Sequence, residues 1–333
     1  MDVLNARYWI KENMTWAQYE DAGDYSVLDI FRTLYWAFPM LVFRLFWEAC
    51  VGIPLSHLFG YNKGPWLANS TQHIFGGFAR NTRQKRVLEC FWRFSFYTAA
   101  WIYGIFVLWD KPWLWDVKEC WIGYPFHEIP RSVWWYYTLE ATFYYSLLLG
   151  AFFDVRRSDF WQLIFHHVVT LGLLSASWAI NFVRVGTLVL VSHDIADVFL
   201  EGGKLVRYAG KHKMLTNVCF VLFMSSWILT RLTYYPLIVI RSAFFDAADL
   251  IQPDYQIFNP LQVPYVPRLI IIMLVALFLL HIFWTYIIGK IVVRTIQEGE
   301  AADVRSDSED EAEEQEVRRK RLTKTKQQTK KED

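Results

Sequence analysis

Apolar residues in this chain neither alternate with polar ones, as in a half-buried strand, nor form the narrow stripe of a soluble amphipathic helix. They run nearly unbroken over stretches long enough to cross a hydrocarbon core, which takes about 20 helical residues. Seven stretches meet that length, at 36–59, 87–109, 133–153, 161–180, 182–200, 215–236 and 269–293. The pattern predicts an all-α polytopic membrane protein with about seven transmembrane helices. The same pattern argues against a closed β-barrel, whose strands alternate.

The connections supply an orientation. Arg80, Arg83, Lys85 and Arg86 precede the second stretch, Arg156 and Arg157 the fourth, and Lys204, Arg207, Lys211 and Lys213 the sixth. With seven spans these three loops share one face, and retention of Lys and Arg on the cytoplasmic side makes that face the cytosol. The amino terminus is then lumenal and the carboxy-terminal tail cytosolic. The start of the chain lacks the basic, apolar, small-residue succession of a cleaved signal, so the first span is expected to direct insertion. Two sequons occur, at Asn13-Met14-Thr15 and Asn69-Ser70-Thr71. Only Asn13 faces the lumen, which makes it the expected glycosylation site.

Composition sharpens the picture. Of 333 residues 54% are hydrophobic and 18% aromatic, and 34 basic against 33 acidic side chains leave a net charge of +1, which excludes a basic nucleic-acid binder. Charge is concentrated in the tail: from Glu298 to Asp333 there are 12 acidic and 9 basic residues. An acidic block, 307–316, is followed by a basic one, 318–331, which reads as a solvated tail. Ser306 and Ser308 lie in the acidic surround that an acid-directed kinase selects, and are the expected phosphorylation sites. Cys50, Cys90, Cys120 and Cys219 are too far apart for a disulfide framework or a zinc site.

Ionisable groups inside spans need a partner, a water-filled cavity or a task. Arg44 with Glu48, and Glu89 with Arg93, stand four apart and can pair along one helix face. Glu140 has no such neighbour but sits among Tyr136, Tyr137, Tyr144 and Tyr145, whose hydroxyls can solvate it. The fourth and fifth spans carry more: His166, His167, His193, Asp194, Asp197 and Glu201. At ~1.5 Å per residue, His166 lies roughly 10 Å, His193 roughly 13 Å and Asp197 roughly 8 Å from the cytosolic face. Imidazoles beside carboxylates at matching depth serve as base or nucleophile, or bind a metal. Di-iron membrane oxidases use more histidines in HxxHH-type boxes, so no metal site is expected here.

The stretch from His166 to Lys204 resembles the Lag motif of TLC-domain proteins, and most closely that of ceramide synthases. The elements shared are the histidine pair with Thr170, then Ser177-Trp178, Asn181, Arg184 and Gly186, the H-D-x-x-D run from His193 to Asp197, and finally Glu201 and Lys204. A weaker resemblance covers about 86–293, including Trp134-Trp135-Tyr136-Tyr137 with Glu140, and Thr230-Arg231-Leu232. Many animal members insert a homeobox-like domain between the first two spans. Here the connection is too short for three helices, which implies the form without it.

The resemblance implies N-acylation of a sphingoid base by fatty acyl-CoA, giving (dihydro)ceramide in the endoplasmic reticulum membrane, with no cofactor besides the acyl-CoA co-substrate. It implies the organisation 1–35 lumenal segment, 36–59 first transmembrane helix, 60–86 cytosolic connection, 87–293 TLC domain of six transmembrane helices, and 294–333 charged cytosolic tail. His166, His167, His193, Asp194 and Asp197 become the expected catalytic residues. Glu140, Asn181, Arg184 and Lys204 become the expected substrate-binding residues. His166 is expected to attack the thioester with Asp197 orienting it, while His167 and His193 move protons; direct attack of the amine, with a histidine as base, is the alternative. Two rivals are a non-enzymatic TLC-type sensor or translocon-associated protein and a metal-dependent lipid oxidase. A homo- or hetero-dimer is compatible with the family, and the lumenal connection 241–268 is where the family tunes acyl length.

Overall fold

The structure, a computed structural model, describes residues 5–10, 15–20, 28–61, 65–78, 82–156, 158–210 and 213–298. Among these residues it is all helical, with seven long helices. They are α1 (Asp29–Leu58), α2 (Arg83–Leu108), α3 (Arg131–Gly150), α4 (Phe160–Ala179), α5 (Val183–Ala209), α6 (Lys213–Ile251) and α7 (Val266–Glu298). The glycosylation expected at Asn13 and the phosphorylation expected at Ser306 and Ser308 lie outside the described residues.

Helix boundaries follow local chemistry. Thr82 caps α2, its hydroxyl accepting from the Lys85 amide at 3.2 Å. The α4–α5 connection is only three residues long because Asn181 takes φ 57°, the left-handed conformation that Asn tolerates better than most residues. Gly210, at φ 66°, ends α5 in the same way. Helix α6 widens to π turns over Ile228–Ile240, around Pro236, whose ring cannot donate to the helical ladder.

Six helices close into a ring in the order α2, α3, α4, α7, α6, α5 and back to α2. Helix α1 packs outside it, against α3. Gly186 lets α5 approach α3, since a Cβ there would come within 2.8 Å of the Tyr137 ring. On the outer surface Phe31, Phe38, Phe46, Phe106, Leu229, Ile272 and Leu279 are exposed, which is the surface of a protein solvated by lipid. Inside lie Glu48, Lys85, Arg86, Glu89, Glu140, Asp194 and Glu201.

Four helices, α1, α4, α6 and α7, are long and apolar enough to cross a membrane on length and composition alone. Helices α2 and α5 miss that mark because they carry several ionisable residues, many of them buried; α3 is diluted by tyrosines, tryptophans and Glu140.

Candidate active site

At one end of the ring, where α5 and α7 finish and α4 begins, a cavity of about 1640 Å³, its open mouth included, is walled by all six ring helices. His166 and His167 from α4 line it, with Asp197, Glu201 and Lys204 from α5, Arg93 and Tyr97 from α2, Arg231 from α6 and Trp284 from α7. The two imidazoles are 5.6 Å apart between ring centres, and Tyr144 flanks both, at 6.5 and 6.3 Å. Trp284 stands edge-on to His166 at 5.4 Å. Both histidine Nδ1 atoms are buried and unpartnered, which leaves the Nε2 edge of each ring toward the cavity.

Asp197 does not orient a histidine. Its Oδ2 accepts from Arg231 Nη2 at 2.6 Å, and the same nitrogen reaches the His193 carbonyl at 3.1 Å. Arg231 also lies 4.7 Å over the Trp227 ring. The resemblance had singled out Arg231, but nothing in the local pattern paired it with Asp197, 34 positions away.

His193 and Asp194 sit one layer deeper. His193 Nδ1 is 2.7 Å from the Val189 carbonyl, a bond that needs the proton on Nδ1, and its Nε2 is buried without a partner. Its ring packs at 5.0 Å on both Tyr235 and His281. His281 is fully buried with both ring nitrogens unpartnered. The sequence left His281 among the scattered histidines; its place on α7, one turn from Trp284, was the available signal. Glu140 on α3 and Asp194 on α5 are both fully buried, and no tyrosine hydroxyl solvates Glu140: all four carboxyl oxygens of the two residues lack a hydrogen-bond partner.

Asn181 and Arg184 stand at the far end of the ring. Asn181 Nδ2 donates to the carbonyls of Pro125 and His127, at 2.9 and 3.2 Å. Arg184 donates to the Glu119 carbonyl at 3.0 Å and lies 4.6 Å over Trp113. Both pin the α2–α3 connection, where burial and the nearby Arg184 charge push His127 down to about 4.

The expected helix pairs are parts of one network. Arg44 bonds Glu48 at 2.7 Å and grips both Asp154 oxygens, at 2.6 and 3.1 Å. Glu48 also meets His73 at 2.9 Å and Lys85 at 3.5 Å. Arg93 stands among Glu89, Asp154 and Glu201, at 3.6, 3.8 and 3.4 Å, and Glu201 holds Lys204 at 2.9 Å. Charge thus runs unbroken from α1 to the cavity mouth.

A TLC domain matches residues 86–290, the six-helix ring. Ceramide synthase hyl-1 of Caenorhabditis elegans is 54% identical to the chain, over 90% of it and 82% of the relative. The chain belongs to the ceramide synthase family. Ceramide synthase hyl-2 of the same organism is 38% identical over 92% of this chain and 94% of its own, and human ceramide synthase 5 is 31% identical over 95% and 88%. The ceramide synthases match over nearly the whole length of the chain, beyond the six-helix ring alone.

Proposed function

We propose that the cavity binds a fatty acyl-CoA and a sphingoid base and joins them through a histidine acyl-enzyme. The chain is a ceramide synthase, an acyl-CoA-dependent N-acyltransferase and a multi-pass membrane protein. The observation that carries the site reading is the pair His166 and His167, side by side on a cavity that Lys204 and Arg207 also line, one helical turn from an apolar interior.

His166 Nε2 attacks the thioester carbonyl carbon; the N–C bond forms, the C–S bond breaks, and the CoA thiolate leaves toward the mouth. Lys204 and Arg207 line that mouth and attract the CoA phosphates. The sphingoid amine arrives protonated, and the oxygen of Asp197 that Arg231 does not engage steadies the ammonium. His167 takes one of its protons, the amine attacks the acyl carbon, and the N–C bond to His166 breaks as the freed Nε2 takes the second nitrogen proton, which leaves the neutral amide; both protons pass to water at the cavity mouth. His193, Asp194 and Glu140 position the layer behind the reacting rings.

The reading includes seven spans in the endoplasmic reticulum membrane, with the amino terminus lumenal and the tail cytosolic. Its supports are seven long helices and cationic loops gathered at the cavity end. It also includes the organisation 1–35, 36–59, 60–86, 87–293 and 294–333, without a homeobox-like insert, a glycan on Asn13 and phosphate on Ser306 and Ser308.

Purified protein given acyl-CoA without amine gains the mass of one acyl group, and the adduct disappears on adding sphinganine. The His166→Ala variant shows neither adduct nor ceramide. No adduct, with turnover still dependent on His166, replaces the covalent path by direct amine attack with His166 as base. Full turnover in His166→Ala refutes the site.

A further inference from the structure

Beyond the histidine cavity the ring holds a second chamber of about 1070 Å³, its opening included, bounded by the same helices α4, α5, α6 and α7. Its walls are almost wholly apolar, with Leu173, Leu174, Val189, Ile270, Leu274 and Leu277 among them. It begins at Thr170, one turn past His166, and the layer of His193, Tyr235 and His281 stands where the two spaces approach. Three small residues of α6, Ala243, Ala247 and Ala248, widen it at the far end.

That far end is bounded by a segment outside the matched TLC domain. Trp9 is part of the chamber wall, and Ile10 next to it is 1% exposed. The segment is fixed to the α6–α7 connection: the Tyr265 amide donates to the Tyr8 carbonyl at 2.8 Å, and the two tyrosine rings stack at 5.4 Å and 8°. Arg268 backs the stack, lying 5.5 Å over Tyr265 while its Nε donates to the Tyr255 hydroxyl at 2.8 Å. A tryptophan pinned from behind in this way is a rigid stop.

We infer that Trp9 closes the end of the acyl-chain chamber and is a specificity-determining residue for acyl length. The occupant is the alkyl chain of an acyl group carried on His166, because the chamber wall begins at Thr170, one turn from that ring, and offers almost nothing polar to any other ligand. Measured along α4 from His166 to Ser177, and along α7 from Trp284 to Pro267, the available path is roughly 16 to 25 Å at ~1.5 Å per residue. An extended alkyl chain advances ~1.25 Å per carbon, as C–C bonds near 1.5 Å dictate, so the path takes roughly 13 to 20 carbons. The amino-terminal segment therefore takes part in setting chain length.

The inference rests on the acyl-transfer reading, and its test separates the two. Full-length wild type, Trp9→Ala, Trp9→Phe and Ala247→Leu are each given sphinganine and a mixture of saturated acyl-CoAs of increasing length, and the ceramides are resolved by mass spectrometry. Trp9→Ala moves the preferred chain up by about two to four carbons, the span of an indole at ~1.25 Å per carbon, and Trp9→Phe moves it less in the same direction. Ala247→Leu, which fills the chamber from inside, moves it down, and Trp9→Phe decides the matter should Trp9→Ala fail to fold. Unchanged profiles in the active variants overturn the inference. So does a profile that shifts with the length of the sphingoid base and not with that of the acyl-CoA. A wild type that acylates no amine with any acyl-CoA refutes the acyl-transfer reading instead.

Discussion

The ion pair between Arg231 and Asp197 joins α6 to α5 at the cavity wall, and its worth can be bounded. The contact is 2.6 Å, with the arginine side chain 5% and the carboxylate 18% exposed. At a charge separation of about 4 Å and an effective dielectric of about 20, the Coulomb term is roughly 4 kcal/mol, most of it offset by desolvation of both groups. Removing one partner leaves the other buried and costs about 3–5 kcal/mol, whereas removing both costs much less. Asp197→Asn and Arg231→Gln are therefore each destabilising, and the double variant recovers stability relative to their sum. Coupling is read from a double-mutant cycle of SDS-titrated unfolding in mixed micelles. Neutral hydrogen bonds between membrane helices average about 0.6 kcal/mol in such cycles, so a coupling of roughly 2 kcal/mol identifies a working ion pair. Activity follows a different rule: the double variant stays as inactive as Asp197→Asn, because the ammonium has lost its carboxylate. A coupling under about 0.5 kcal/mol, or full activity in the double variant, refutes both the pairing and the role assigned to Asp197.

Other outcomes follow from the same structure. Arg44→Leu strips Glu48 and Asp154 of their shared cation and loosens α1 from α3; it lowers stability by about 3–5 kcal/mol, and limited proteolysis between α1 and α2 accelerates. The Asp154→Asn partner substitution in that background restores part of the loss. His127 binds its proton less readily folded, at about 4, than unfolded, so the unfolded state takes up the extra proton and stability declines as pH falls below about 6.5. Between pH 7 and pH 4.5 its contribution falls by roughly 2–3 kcal/mol. His127→Gln flattens that part of the stability–pH curve; an unchanged slope removes the assignment. Asn13→Gln abolishes a glycosidase-sensitive mass shift that Asn69→Gln leaves in place, and the reverse result inverts the orientation.

Much of this protein is written in its one-dimensional pattern. Apolar runs gave the approximate place of all seven long helices, and four of those helices are long and apolar enough to cross a membrane, where a backbone must satisfy its own hydrogen bonds. The fourth and fifth helices brought His166, His167, Asp197, Glu201 and Lys204 to one cavity as their spacing implied, since a short antiparallel connection leaves little choice of register. Asn181 and Arg184 belong to the same motif but lie too far along those helices to meet His166; sequence proximity marked them, and only the fold separated the hinge from the site. What local spacing did not carry was the pairing of distant residues: Arg231 with Asp197, His281 with His193, Arg44 with Asp154, and Trp9 with the chamber. Each joins helices far apart in the chain. Helical periodicity fixes which face a side chain occupies but not which neighbour that face meets; closure of six helices into a ring decided those partners.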